Sequence, residues 1–205
     1  MTQTARRLTR QEQQEQTRTR LIEAADHMFA EGGVVAASLR TLCERAGFSQ
    51  GAFYSNFASK EDLLLAVLQR HIHQEVEIMR HLVSTTRRDD LDGALDSLAR
   101  RLAELAHDPH WSLLSVELQL HARRNPEFAQ RSDQVKRASL HEFTTVLEEL
   151  IAHHALTPAL PAPDLARGLY ALWSGLVLQG TIKETASRDQ IFLAFLCNMI
   201  GASRR

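Results

Sequence analysis

The chain has 205 residues, 44% of them hydrophobic, and its 24 Lys and Arg nearly balance 25 Asp and Glu to a formal net charge of −1. Leu (30) and Ala (26) far outnumber Val (9) and Ile (7), so unbranched helix formers dominate and the composition points to an all-α chain. Nine Gly and five Pro exclude collagen-like and low-complexity chains, and two Cys are too few for a disulfide scaffold.

Residues 1–16, rich in Arg, Gln and Thr and carrying Arg6, Arg7 and Arg10, read as a flexible basic arm with no apolar secretion core. The next segment places Leu21, Ile22, Ala25, Met28 and Phe29 on one helical stripe, which Gly32 and Gly33 should end. Ser38 is an N-cap for a short helix carrying Leu39, Leu42, Cys43 and Ala46, stopped by Gly47. Ser49 caps another short helix through Tyr54. Ser59-Lys60-Glu61-Asp62 opens a fourth, with Leu63, Leu64, Val67, Leu68 and Ile72 as its apolar row.

Beyond this point the helices lengthen. Leu91, Leu95, Leu98, Leu102 and Leu105 mark one, and Asp108-Pro109 opens the next, through Trp111, Leu114, Leu118 and His121. Asn125-Pro126-Glu127 should launch a long helix containing Phe143, Val146 and Leu150. Three of the five prolines fall in the loop Thr157–Pro163. A very apolar helix should run from Asp164 to about Ile182, and Ser187-Arg188-Asp189-Gln190 caps a last one closed by Gly201. The stretch Leu169–Ile182 is interrupted by polar and glycine residues and is shorter than the ~20 residues a bilayer span needs. The expectation is therefore a soluble cytoplasmic chain with no membrane partner, in which Cys43 and Cys197 are reduced core thiols.

The segment Ser38–Phe57 has the form of a helix-turn-helix. Ala46 is small where two helices cross, Gly47 can take the left-handed turn conformation, and Phe48 plugs the turn. Such a unit presents its second helix outward, shaped to enter the major groove of DNA. Through Lys60 the chain carries eight basic and six acidic residues, so the mild positive excess lies on this side.

The wider pattern is more specific. Met28-Phe29-Ala30-Glu31-Gly32, Ala46-Gly47-Phe48-Ser49, Gly51-Ala52-Phe53-Tyr54-Ser55-Asn56-Phe57 and Ser59-Lys60-Glu61-Asp62-Leu63 follow in order, and together they resemble the tetracycline-repressor (TetR) family over residues 17–68. Cys43 stands where Ala is usual and Phe48 where Val is common, both inward-facing apolar exchanges. The resemblance implies an all-helical homodimer: a three-helix DNA-binding domain (17–60) after the arm, then a larger ligand-binding and dimerisation domain (61–205). It also implies a repressor that binds a palindromic double-stranded operator and is released by a small-molecule effector. An activator or ligand-independent regulator of the same fold is the alternative.

Roles follow residue by residue. Ser49 can cap the recognition helix and offer its hydroxyl to phosphate. Gln50 has the amide that pairs with adenine, Gly51 permits close approach, and Ala52 and Phe53 can meet a thymine methyl. The resemblance implies phosphate contacts from Tyr54 and Lys60; Arg40, Thr41 and Asn56 are further DNA-facing candidates. For the effector, the aromatic and polar residues of the later helices suggest a pocket lined by Trp111, Leu114, Glu117, Leu118, His121, Phe143 and Trp173. For dimerisation, Leu169, Leu172, Leu176, Ile191, Phe195 and Met199 combine with small residues in a face suited to a four-helix interface.

An enzyme is the remaining class. The ten histidines include the pairs His71/His73, His107/His110 and His153/His154, but none has metal-ligand spacing. Glu117 and His121 share a helix face without a third ligand at a recognisable spacing. No glycine-rich phosphate loop, Gly-x-Ser-x-Gly elbow or Cys-x-x-Cys occurs, so the expectation is no catalysis, no metal and no cofactor.

Overall fold

In the computed structural model the described residues are 9–36, 38–179 and 186–201, and among them every regular element is an α-helix. These are α1 (Arg10–Ala36), α2 (Leu39–Ala46), α3 (Gln50–Tyr54), α4 (Lys60–Thr85), α5 (Leu91–His107), α6 (Pro109–Arg124), α7 (Pro126–His153), α8 (Ala162–Gln179) and α9 (Arg188–Ile200). The chain divides into two compact units, the first ending at Leu68 and the second beginning at Gln69. The division falls inside α4, eight residues later than the expected boundary at Lys60, because Leu63, Leu64 and Val67 are buried with the first unit. No described helix is long and apolar enough to cross a membrane.

In the first unit α1 packs on α2 and α3. Its start corrects the reading of residues 10–16 as part of an arm: helix begins at Arg10. Thr9 and Glu12 form a reciprocal cap, the Thr9 N–H donating to Glu12 Oε2 at 2.7 Å and the Glu12 N–H to Thr9 Oγ1 at 3.2 Å. Those bonds hold the Glu12 carboxyl below its ordinary value, the Thr9 backbone N–H contributing most. Arg6 and Arg7 lie outside the described residues. At the other end α1 continues through Gly32-Gly33 to Ala36, since glycine weakens a helix without forbidding it.

In the second unit the caps expected from sequence form. Asn125 Oδ1 accepts from the Phe128 N–H at 3.1 Å, and Gln190 Oε1 from the Ser187 N–H at 3.1 Å. Gly201 closes α9 at φ 71°, and a Cβ there would sit 2.9 Å from the Thr157 carbonyl oxygen. The core gathers Leu95, Leu98 and Leu102 of α5, Val146, Leu147 and Leu150 of α7, Leu165 and Leu169 of α8, and Phe192, Leu196 and Ile200 of α9. A polar seam joins the later part of α4 to α7. His73 Nδ1 lies 3.0 Å from Glu142 Oε2, and Arg80 Nε donates to both Glu149 oxygens at 3.2 Å. Just past α4, His153 Nε2 is 2.7 Å from the Thr86 carbonyl oxygen and His154 Nδ1 is 3.1 Å from that of Arg88.

Candidate nucleic-acid interface

The two short helices owe their ends to side chains. Ser38 Oγ accepts the Thr41 N–H at 3.1 Å to start α2, and Ser49 Oγ accepts the Ala52 N–H at 3.2 Å to start α3; such caps contribute about 1 kcal/mol each. Between them Gly47 adopts φ 74°, ψ 31°, and the Phe48 N–H returns to the Cys43 carbonyl at 2.9 Å. A side chain at Gly47 would find open space but a backbone conformation that L residues resist. Leu42, Cys43 and Ala46 turn inward, fixing α2 against α1. Burial pushes the Cys43 thiol up, and the neighbouring Glu44 carboxylate adds to the rise, so it stays protonated.

What remains outward is a compact polar surface. Gln50, Gly51 and Tyr54 of α3 are exposed and Ala52 is half-buried; Tyr54 keeps 59% of its surface open. A Cβ on Gly51 would meet only Ser49 Oγ, at 3.7 Å, an ordinary contact. The fold itself therefore has no need of glycine at this exposed helical position. On α2, Arg40 and Thr41 are exposed; Arg40 Nε reaches Glu44 Oε1 at 2.9 Å and the Thr41 hydroxyl lies 2.8 Å from that of Ser38. Lys60 is half-buried at the first position of α4, beside the Ser59 cap that accepts the Asp62 N–H at 3.1 Å.

Two residues expected at this surface are not presented on it. Phe53 is fully buried, packed edge-on to Tyr54 and 5.6 Å from Phe57 between ring centroids, so no thymine methyl can reach it. Its position on the inner side of a one-turn helix leaves it no other choice. Asn56 is half-buried, and its amide donates to the Ala52 carbonyl at 2.8 Å while its Oδ1 is enclosed. That side chain finishes α3 rather than projecting from it.

Sequence reasoning also passed over two contributors on α1. Gln14 Nε2 donates to the Ser55 carbonyl at 3.4 Å, and Arg18 Nη1 to the Asn56 carbonyl at 3.1 Å with its guanidinium 4.3 Å from the Phe57 ring centroid. No spacing rule announces such a long-range pair. The Thr9-x-x-Glu12 cap, in contrast, was a readable signal.

The expected effector residues scatter, and one of the expected dimer residues is buried in the core. An apolar cavity of about 40 Å³ in the second unit is lined in part by Phe143, Leu98, Leu169 and Phe192. Of the residues expected to line a pocket whose side chains are described, Phe143 alone borders it. Leu114 and Leu118 are buried away from it, and Trp173 packs edge-on to Phe192 at 5.5 Å. Glu117 and His121 are half-buried on α6, the His121 ring 4.6 Å from Phe128; the side chain of Trp111 lies outside the described residues. Leu169, expected at a subunit interface, is 2% exposed in the chain's own core, which removes it from any such surface. Leu172, Leu176, Ile191 and Met199 are half-buried and Phe195 is 54% exposed.

Comparison with known proteins agrees with this geometry. Residues 21–67 match the bacterial regulatory proteins of the tetR family, and residues 87–197 match the BetI-type transcriptional repressor C-terminal region. The transcriptional regulator UidR of Escherichia coli K12 is 28% identical over 189 residues, spanning 90% of this chain and 91% of UidR. The transcriptional repressor NemR of the same strain is 25% identical over 90% of this chain and 94% of its own length. The crystal structure of reduced E. coli NemR superposes with a TM-score of 0.67 over 92% of this chain and all of that one. The regulator FadR of Bacillus subtilis, solved with stearoyl-CoA, shares the fold at 18% identity, with a TM-score of 0.63 over 91% of this chain and 99% of that one. The outward recognition helix, the glycine turn and both matched regions make this chain a member of the TetR family, a DNA-binding transcriptional regulator and not an enzyme.

Proposed function

We propose that this regulator is a homodimeric repressor that holds a palindromic operator and releases it when a largely apolar small molecule enters the second unit. The observation that carries the dimer is the outward face of α8 and α9. Gly168 is exposed and Gly175 half-buried, and a Cβ on either would meet nothing within 4 Å. Nothing among the described residues calls for glycine there, whereas a second helix approaching that face would. Leu178 (61% exposed) and Phe195 (54%) flank it, with Leu172, Leu176, Ile191 and Met199 half-covered beside them. Pairing two copies of this face would bury these side chains in a four-helix seam.

A dimer doubles a recognition helix too short to bind tightly alone, and two copies read two half-sites. In this reading Gln50 addresses a base edge, Ala52 a thymine methyl, and Gly51 lets the helix seat deeply. Ser49, Tyr54, Arg40, Thr41 and Lys60 hold phosphates. The effector reading draws on the apolar cavity, whose 40 Å³ is far below the roughly 300–1,000 Å³ of a ligand pocket. A ligand entering this cavity would part the helices that line it, and the parted state would be the one that leaves DNA. Repression is favoured by the repressor description of the matched C-terminal region and of NemR.

The test is Leu178→Glu combined with Phe195→Glu. Light scattering after gel filtration should show a folded monomer whose operator affinity has fallen at least a hundredfold, and a variant that stays dimeric removes the interface. A reporter driven by the chain's own promoter, with and without the protein, separates repression from activation.

A further inference from the structure

The recognition helix α3 has five residues, a single turn. A helix that short has no stability of its own, because nucleation costs more than one turn returns. Its direction must be imposed from outside. Ser49 fixes its beginning. At its end the N–H groups of Ser55, Asn56 and Phe57 turn back to Gly51 and Phe53 carbonyls at 2.8–3.1 Å. The carbonyls of Ser55 and Asn56 point onward, and both are met from α1, by Gln14 and Arg18, which stand one turn apart on the same face.

We propose that Arg18 is a positioning residue for DNA recognition, setting the pose of α3 from its C-terminal end without touching DNA. The half-buried guanidinium lies 4.3 Å from the Phe57 ring centroid while Nη1 donates to the Asn56 carbonyl at 3.1 Å. Stacking fixes the plane and the hydrogen bond fixes the direction in it, a combination open to a planar guanidinium and closed to an ammonium. The positive charge also faces the carbonyl end of the helix, where it is favoured. Phe57, 3% exposed and tilted against Phe53, carries that anchorage into the core. Phe53 lies on the buried side of α3 itself, so the clamp, the core and the recognition turn form one continuous chain of contacts. Releasing it lets α3 tilt about its Ser49 end. The base-facing side chains are then misaligned, while the phosphate-holding charges elsewhere remain.

This inference rests on α3 being the recognition helix, and the experiment separates the two. The full chain with Arg18→Met or Arg18→Lys is titrated against a duplex enriched by the unaltered protein from a random-sequence pool, and against a scrambled duplex of equal length. Both variants should lose about tenfold or more of the enriched-to-scrambled affinity ratio. Scrambled-duplex affinity and the slope of log affinity against log salt should stay unchanged. Arg18→Lys keeps the charge and the stem, so it remains readable should Arg18→Met not fold, and it is not expected to rescue. A salt slope that drops in Arg18→Met but recovers in Arg18→Lys identifies a phosphate contact and overturns the proposal. An unchanged affinity ratio in a folded variant overturns it equally. Gly51→Ala is the control: if that variant also keeps its ratio, the assignment of α3 has failed, independently of Arg18.

Discussion

Arg101 on α5 donates to both carboxylate oxygens of Glu75 on α4, Nε to Oε2 at 2.7 Å and Nη2 to Oε1, with Glu104 Oε2 a further 2.6 Å acceptor for Nη1. The Arg101 and Glu75 side chains are only 25% and 18% exposed, so this is a sheltered fork and not a surface ion pair. Glu75 above all, then Glu104, raises the Arg101 guanidinium beyond its already high ordinary value, and the arginine charge persists at every accessible pH. Replacing Arg101 by Met leaves Glu75 sheltered without its fork. Chemical denaturation should show a loss of about 1–3 kcal/mol, of which Arg101→Met with Glu75→Gln recovers part.

Gly51 offers a cleaner separation of folding from function. Because a Cβ there meets only Ser49 Oγ at 3.7 Å, Gly51→Ala should leave the thermal midpoint unchanged or raise it, with a gain of up to about 0.5–1 kcal/mol from helix propensity. Operator affinity, measured by fluorescence anisotropy, should fall about tenfold or more. A variant that loses stability and binding in parallel would contradict the assignment of that surface to DNA.

Neighbouring aromatic residues should behave oppositely. Phe53 is completely buried, so Phe53→Ala should cost about 3–5 kcal/mol of stability in the first unit. Tyr54, 59% exposed, should tolerate Tyr54→Phe without loss of stability. The lost hydroxyl should weaken binding about threefold to tenfold. A thermal melt and a binding isotherm on each variant check both statements.

Acid should fray α1 from its first turn. The Glu12 carboxyl is held below its ordinary value, so its contribution is complete above that value and disappears as pH falls through the lowered one. Amide protection over Arg10–Thr17, corrected for intrinsic exchange, should drop on acidification. Glu12→Ala should show the low protection at neutral pH already and lose the pH dependence.

The helical class, the caps at Ser38, Ser49, Asn125 and Ser187 and the glycine turn were legible in the sequence because each rests on residues within four positions of one another. The same locality made the outward face of α3 readable except at Phe53, where a single turn offers too few residues to show which side is inward. Arg18 and Asn56 are 38 residues apart, and their contact depends on how α1 crosses α3. The lining of the apolar cavity was not legible for a related reason. Aromatic and leucine periodicity shows that a helix has a buried face, yet Leu114, Leu118 and Leu169 are all buried while Leu169 alone of them borders the cavity.

The seam between α4 and α7 constrains how the helices of the second unit can slide past one another. His73 and Arg80 are seven residues apart, and so are their partners Glu142 and Glu149, which makes the two helices a key and lock with one setting. Sliding α4 by one turn, about 5.4 Å, would bring His73 and Arg80 opposite Ala138, Ser139, Thr145, Val146, Ala152 or His153, none of them an acid. No neighbouring register re-forms the ladder. A one-turn displacement of α4 along α7 therefore breaks both rungs together unless α7 moves with it.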